Sequence, residues 1–277
     1  MSTFLSQLRS SWERSGSLVC VGLDPEIERF PSQVADHASP IFQFNKAIID
    51  ATADLACAYK PQFAHYAAYE AEDQLQRTIE YIHSAYPGVP VILDSKRGDV
   101  GNTAERYAIE AFERYGADAV TVNPYLGGDS LEPFLRHEDR GVIVLCRTSN
   151  AGASDLQDLI VGSGRRLFHA VAELAARQWN IRGNVMLVVG ATYPAELAEV
   201  RAIVGDMPLL VPGVGAQGGD VALAVRSGQT SEGTGLVLSS SRGILYASGG
   251  DDFASAARTA VLELRERINA HRLRPGL

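Results

Sequence analysis

The stretch that decides the fold is "PVILDSKRGDVGNTAERYAIEAFERYGADAVTVNP", residues 90–124. It begins and ends with short apolar runs, "PVILDSK" (90–96) and "DAVTVNP" (118–124). Strands of this kind are buried on both faces, as in a parallel sheet that is covered by helices. The intervening segment 102–117 has the length and composition of a helix. The stretch therefore predicts one strand–helix–strand unit.

The helix of this unit has recognisable ends in the sequence. Asn102 is the predicted N-cap, with Glu105 at the third helical position, and Gly116 is predicted to end the helix. A second helix is predicted over residues 254–270, after the last strand.

The same alternation of strand and helix runs along the whole chain. The eight strand candidates are 18–24, 55–60, 90–96, 118–124, 141–148, 184–190, 208–213 and 235–241. Eight such units in 277 residues predict a single (β/α)8 barrel spanning 1–277, with a short helical extension at the N-terminus. A doubly wound open sheet is the alternative architecture.

The overall composition restricts the class of protein. The 277 residues are 46% hydrophobic and carry a formal net charge of −8. This acidic balance argues against a nucleic-acid-binding protein, which would usually be basic. No apolar run approaches the length of a membrane span, and the N-terminus lacks the apolar core of a signal peptide. We therefore expect a soluble, cytoplasmic protein with no nucleic-acid or membrane partner.

The sequence carries no recognisable metal or disulfide pattern. Cys20, Cys57 and Cys146 lie inside apolar runs, and their odd number and spacing do not suggest a disulfide framework. The six histidines are scattered and form no HExxH pair. We predict buried thiols in a reducing compartment, no metal site and no cofactor.

Polar residues cluster at one end of the predicted strands. Each lies at or after a strand's C-terminal end: Asp24, Lys60, Asp94, Lys96, Ser149, Gln217 and Arg242. In a (β/α)8 barrel these ends meet at the face that carries the active site. A ring of structural salt bridges is the alternative that the charged residues alone leave open.

A glycine-rich segment, "VPGVGAQGGD" (211–220), follows the seventh strand. It matches GxGxxG, with Glu232 about twenty residues further on, as in dinucleotide-binding folds. Those folds usually place the motif in their first strand–helix turn, however, and here it lies in the seventh unit. In a barrel, the loops after strands seven and eight commonly bind one phosphate. Gln217 and Arg242 supply donors for such an anion.

The sequence predicts a cluster of alternating positive and negative charges, formed by Lys60, Asp94, Lys96 and Asp99. Each lysine keeps its neighbouring carboxylates ionised. A substrate carboxylate pushed to ~4 Å from Asp94 would be repelled by roughly 4 kcal/mol at an effective dielectric constant of ~20. Loss of that carboxylate as CO2 would relieve the repulsion, and Lys96 could stabilise and protonate the carbanion. The cluster thus favours a decarboxylation driven by charge alone.

These motifs together resemble the orotidine 5′-phosphate decarboxylase family. "DSKRGDVGNT" is similar to its D-x-K-x-x-D signature, and "GLDP" and "CAYKPQFAHY" are similar to strand ends of the longer, type 2 bacterial branch. "VPGVGAQGGD" and "SSSRGILY" resemble its phosphate loops. The resemblance runs from about Gly22 to Tyr246. It implies a cofactor-free barrel that converts orotidine monophosphate to UMP, the final step of de novo UMP synthesis.

The resemblance implies a role for each charged residue. Lys96 would donate a proton to C6 of the pyrimidine, and Asp94 would crowd the leaving carboxylate. Lys60 would orient Asp94 and the ribose hydroxyls, with Asp24 also on the ribose.

The resemblance also implies a homodimer with shared active sites. Asp99 and Thr103 would reach into the site of the partner subunit, and Ser149 would touch the pyrimidine edge. In the phosphate loops the implied substrate-binding residues are Pro212, Gly215, Gln217, Ser241 and Arg242. Ser241 departs from the family pattern, since some members have glycine before the arginine.

Three other functions remain alternatives at this point. A magnesium-dependent sugar-phosphate decarboxylase or aldolase of the same barrel superfamily would share D-x-K-x-x-D. It would need an acidic ligand at the end of the second strand, where this chain has Lys60. A nicotinamide-dependent oxidoreductase and a non-catalytic phosphate-binding barrel are the other two.

Overall fold

Eight parallel strands form the centre of the molecule. The computed structural model describes residues 3–162, 164–214 and 219–273. The strands are β1 (Val19–Leu23), β2 (Ala58–Pro61), β3 (Ile92–Arg97), β4 (Ala119–Val122), β5 (Gly141–Arg147), β6 (Val185–Val189), β7 (Leu209–Pro212) and β8 (Leu236–Ser240). Their order in the sheet is β2-β1-β8-β7-β6-β5-β4-β3, and all pairings are parallel. Each predicted strand is confirmed at its expected position.

The sheet closes into a barrel between β2 and β3. Bridge pairs join Tyr59 to Val91 and Gln62 to Asp94. The backbone N–H of Tyr59 also donates to the carbonyl of Pro90 at 3.0 Å. The predicted (β/α)8 barrel is thus confirmed. The open-sheet alternative is wrong, because an open sheet would leave these two strands unpaired with each other.

Helices surround the barrel. They are α1 (Phe4–Ser15), α2 (Ser32–Ala35), α3 (Pro40–Thr52), α4 (Phe63–Ala67), α5 (Glu72–Ala85), α6 (Gly101–Ile109), α7 (Gly128–Leu135), α8 (Leu167–Leu174), α9 (Pro194–Val204), α10 (Val221–Gly228), α11 (Arg242–Leu245) and α12 (Phe253–Asn269). Two π-helical turns, Glu110–Arg114 and Ala175–Trp179, continue α6 and α8. Short 3-10 turns are Ile27–Arg29, Pro124–Leu126, Ala151–Asp155 and Asn180–Arg182. No helix within the described ranges is both long and apolar enough to cross a membrane.

The start of α6 corrects one prediction. Asn102 is not the N-cap: Val100, with extended dihedrals, occupies that position, and Gly101 begins the helix. The Oδ1 atom of Asp99 accepts from the N–H of Val100 at 2.8 Å, and Gly101 turns at φ +52°, so the chain enters the helix earlier than expected. Gly116, at φ +66°, ends the π-helical continuation as predicted.

The N-terminal helix covers the end of the barrel opposite the predicted site. Phe4, Leu8 and Trp12 lie four residues apart on one face of α1 and are buried. The N–H of Phe4 donates to the carbonyl of Asp139, just before β5, at 2.9 Å. Because α1 packs below the strands, the opposite face stays open for a ligand.

A long segment after β5 is fixed at its base by Arg147. This side chain is 2% exposed. Its guanidinium donates to the Asp158 carboxylate and to the Thr148 carbonyl, both at 3.0 Å, and stacks 4.1 Å from the centre of the Tyr193 ring. The segment also contains a small antiparallel pair, Ile160–Val161 with Arg165–Arg166. Buried charge thus anchors the start of the loop that carries Ser149.

Candidate active site

A cavity of about 460 Å³ opens at the C-terminal ends of the barrel strands. The predicted site residues that line it are Asp24, Lys60, Asp94, Lys96, Ser149, Pro212, Ser241 and Arg242. They belong to β1, β2, β3, β5, β7 and β8 or to the loops that follow these strands. Closure of the barrel therefore brings together residues that are far apart in the sequence.

Three charged side chains that line the cavity are joined by hydrogen bonds. Lys60 Nζ donates to Asp94 Oδ2 at 2.9 Å, and Lys96 Nζ donates to Asp94 Oδ1 at 2.7 Å. Lys60 Nζ also lies 3.9 Å from Asp24 Oδ1. Lys60 and Asp94 are only 4% and 7% exposed, so their charges interact with little screening by water. Of the predicted cluster, Lys60, Asp94 and Lys96 form a continuous array of hydrogen-bonded charges, and Asp99 is not part of it.

The array keeps Asp94 and Lys60 ionised. Burial by itself raises the pKa of Asp94, but Lys60 and Lys96 outweigh it and hold that pKa well below its usual value. Burial by itself lowers the pKa of Lys60, but Asp94 and Asp24 outweigh it and raise that pKa above its usual value. Near neutral pH, Asp94 is an anion and Lys60 a cation.

β3 is irregular where it carries these groups. Its register against β4 shifts between Leu93 and Arg97, and Lys96 has φ +48°, which is uncommon for a residue with a side chain. The backbone N–H of Lys96 donates to Thr121 Oγ1 on β4 at 2.9 Å. A bulge of this kind redirects a side chain at the edge of a site. Sequence reasoning did not identify Thr121.

Arg242 also lines the cavity. Its side chain is exposed and forms no ion pair with any residue that the structure describes. Ser241 packs against Gly22 of β1 so closely that a Cβ at position 22 would lie 2.9 Å from the Ser241 Cβ. Gly215 and Gln217 lie outside the described residues, and their predicted role in binding phosphate stays a prediction.

Asp99 and Thr103 do not line the cavity of their own chain. Thr103 is exposed on the first turn of α6, and Asp99 is partly exposed. Both therefore lie outside the array that Lys60, Asp94 and Lys96 form.

Several lining residues were missed in the sequence. They are Gln62, Thr121, Leu145, Thr148, Asn150, Gln157, Val188, Leu210, Gly213, Val214, Ser239 and Ser240. Gln62 and Thr148 directly follow strands, so their position alone could have indicated them. Leu145, Val188 and Leu210 form an apolar wall, and only the register of the strands shows which of their residues point inward.

A metal centre finds no support in the arrangement of side chains. Over residues 3–162, 164–214 and 219–273, no three His, Cys, Asp or Glu side chains are grouped so that they could hold an ion.

The fold and the site define a barrel enzyme whose cavity is lined by a lysine–aspartate–lysine array and by an arginine. The chain belongs to the orotidine 5′-phosphate decarboxylase / HUMPS family, whose sequence profile matches residues 17–259. The family expected from the motifs is thus confirmed.

Individual relatives match nearly the whole chain. The orotidine 5′-phosphate decarboxylase of Azoarcus sp. (strain BH72) is 59% identical over 269 residues, which cover 97% of this chain and 99% of that protein. The protein of the same name from Dechloromonas aromatica (strain RCB) is 58% identical over 270 residues, 98% of this chain and 100% of that protein. The solved structure of Leishmania donovani OMP decarboxylase has a TM-score of 0.84 and 41% identity, and each chain is covered to 98%.

Proposed function

We propose that the chain decarboxylates orotidine 5′-phosphate to UMP without a cofactor. The observation that carries this proposal is the hydrogen-bonded Lys60–Asp94–Lys96 array, which lies in the same cavity as Arg242. The reaction is the one after which the curated relatives are named, and these relatives cover almost the full chain. The chain is accordingly a carboxy-lyase of pyrimidine biosynthesis.

The array supplies the driving force. The substrate carboxylate lies against Asp94, whose two oxygens already accept from Lys60 and Lys96. At ~4 Å and an effective dielectric constant of ~20, the repulsion is roughly 4 kcal/mol. The bond between C6 and the carboxylate breaks, CO2 leaves, and the electron pair stays on C6. Lys96 Nζ then gives a proton to C6 and recovers one from water.

The remaining predicted residues hold the rest of the nucleotide. Asp24 Oδ1 is buried, lies 3.9 Å from the Lys60 ammonium and has no hydrogen-bond partner among the residues that the structure describes. A ribose hydroxyl would satisfy this oxygen. Arg242 binds the phosphate through its forked donors. Ser149 lines the cavity and would contact the pyrimidine edge.

The working unit in this proposal is a homodimer with shared sites. Asp99 and Thr103 lie outside their own chain's cavity and are free to complete the partner's. Apolar side chains are exposed close to them: Val100 is 52%, Tyr125 77% and Leu126 46% exposed. The loops that carry these side chains meet where Gly98 packs against Asn123. A second copy of the chain would bury this apolar surface.

The cytoplasm is the proposed compartment. Cys20, Cys57 and Cys146 are all buried and unpaired. Free thiols are typical of proteins from a reducing compartment.

The magnesium-dependent alternative is not favoured. Lys60 lies where those enzymes need an acidic ligand, and its buried ammonium would repel a divalent cation. The relatives that match this chain over most of its length are named as decarboxylases of orotidine 5′-phosphate.

The test is the loss of orotidine monophosphate absorbance with purified protein in buffer that contains EDTA. We expect turnover by the wild-type protein, and Lys96→Ala should lower kcat by about 10³-fold or more because the proton donor is lost. Lys46→Ala is the matched control, since Lys46 pairs with Asp50 on the surface, and its kcat should stay within about twofold.

Two results would contradict the proposal. Turnover of sugar-phosphate acids that requires added magnesium would establish the alternative function. Near-normal activity of Lys96→Ala would remove the proton-donor role from that lysine.

A further inference from the structure

Thr121 joins the two central residues of the cavity through one hydroxyl group. It lies on β4, is 1% exposed and lines the cavity. Its Oγ1 donates to Asp94 Oδ1 at 2.9 Å and accepts from the backbone N–H of Lys96, also at 2.9 Å. A hydroxyl has one hydrogen to donate and two lone pairs, so both bonds can exist together.

The Thr121 hydroxyl replaces a backbone hydrogen bond that the β3–β4 pairing does not make. The β3–β4 pairing skips from Leu93 to Arg97, so the N–H of Lys96 has no ladder partner on β4. Lys96 also has a positive φ, which among the described non-glycine residues it shares only with Glu70. A residue in this region persists only where its surroundings hold it. Thr121 is the neighbour that holds the Lys96 backbone.

The same hydroxyl fixes the orientation of Asp94. Oδ2 accepts from Lys60, and Oδ1 accepts from both Lys96 and Thr121. The lysine side chains are long and rotatable, whereas the short Thr121 side chain projects from a buried strand. The neutral hydroxyl therefore defines the carboxylate plane without adding charge.

We propose that Thr121 is a positioning residue for the decarboxylation. Its hydroxyl bonds both to the Asp94 carboxylate and to the Lys96 backbone. It thereby holds the Asp94 anion and the Lys96 proton donor in position beside the same substrate carbon, C6. This inference rests on the proposed function, and activity of the wild-type protein is therefore measured first. An inactive wild-type protein would refute the function, whereas only the variants below address Thr121.

The variants separate the hydroxyl from the shape of the side chain. Thr121→Val keeps a β-branched side chain but loses both hydrogen bonds, and we expect kcat to fall about 10- to 100-fold. Its KM for orotidine monophosphate and its Kd for UMP should change by less than about threefold, because the phosphate and ribose contacts lie elsewhere. Thr121→Ser restores the hydroxyl and should keep kcat within about threefold of the wild-type value.

A buried threonine outside the cavity provides the control. Thr52 is fully buried, and its hydroxyl donates to the carbonyl of Ile48 at 2.7 Å. Thr52→Val should change the thermal midpoint but leave kcat within about twofold.

Three outcomes would overturn the inference. The first is a kcat of Thr121→Val within about twofold of wild type. The second is a kcat of Thr121→Ser that is as low as that of Thr121→Val. The third is that Thr121→Val and Thr121→Ala both fail to fold, which would assign the hydroxyl to folding and not to positioning.

Discussion

Asp94 contributes both to the stability of the fold and to the proposed reaction. Its carboxylate accepts hydrogen bonds from Lys60, Lys96 and Thr121. In the proposed reaction, a substrate carboxylate that arrives beside Asp94 would meet a fixed negative charge. The same three bonds keep Asp94 ionised in a buried position. The bonds that stabilise Asp94 therefore also fix the negative charge that would repel the substrate's carboxylate in the proposed reaction.

Replacement of Asp94 should destabilise the fold in a pH-dependent way. Asp94→Asn leaves Lys60 buried with Asp24 at 3.9 Å, so the free energy of unfolding should fall by about 3 kcal/mol at neutral pH. The folded-state pKa of Asp94 is lowered, so its ionisation stabilises the fold above the unfolded pKa of ~3.9 and ceases to do so as pH falls toward the folded value. Urea denaturation should therefore show the difference between wild type and variant shrinking by ~0.7 kcal/mol near pH 3.5.

The control for this prediction is an aspartate in water. Asp251 is exposed, and Asp251→Asn should leave the free energy of unfolding within about 0.5 kcal/mol of wild type. A difference for Asp94→Asn that stays constant from neutral to acid pH would show that the charge of Asp94 does not stabilise the fold.

At the scale of elements, β1 and the loop after β8 share one tight contact. A Cβ on Gly22 would overlap the Ser241 hydroxyl, and Ser241 directly precedes Arg242. Gly22→Ala should push this loop outward and raise KM for orotidine monophosphate about tenfold, because the guanidinium would no longer reach the phosphate. Steady-state kinetics and the Kd for inorganic phosphate would measure the effect.

A second glycine provides the comparison. Gly249 has open space around its Cα and no positive φ, so Gly249→Ala should leave KM within about twofold. An unchanged KM in Gly22→Ala would mean that the loop after β8 does not depend on its contact with β1.

The strands could be predicted because their signal is local. Runs that are apolar on both faces define buried strands whatever their partners are, and all eight were placed correctly. The start of α6 could not be placed, because it depends on Gly101 at φ +52° and on a bond from the Val100 N–H to Asp99. Neither π-helical turn was predicted, since such turns have no simple sequence pattern.

The candidate site was only partly visible in the sequence for a similar reason. Charged residues at strand ends stand out, and Lys60, Asp94 and Lys96 were found because barrel topology places strand ends together. Thr121 lies within a strand, where threonine is ordinary. Its importance comes from the shifted register of β3, which the sequence does not show.

On the scale of the whole molecule, the two ends of the closed barrel differ: one is covered by α1, and the other opens into the cavity. α1 packs Phe4, Leu8 and Trp12 below the strands, while the C-terminal ends surround the cavity. Asp99 is the part of the D-x-K-x-x-D motif that remains outside this cavity. In the proposed homodimer, a second chain would supply this carboxylate.

Subunit mixing tests this requirement. Asp99→Ala and Lys96→Ala subunits should each be inactive alone, but a mixed dimer holds one site with Lys96 from one chain and Asp99 from the other. Random pairing makes half of the dimers mixed, with one intact site each, so about a quarter of wild-type activity should return. Mixing Lys60→Ala with Lys96→Ala is the matched control, because both lysines line the same chain's cavity and no intact site can form. Dual-tag purification would prove that mixed dimers are present, and inactivity of those dimers would show that Asp99 acts within its own chain.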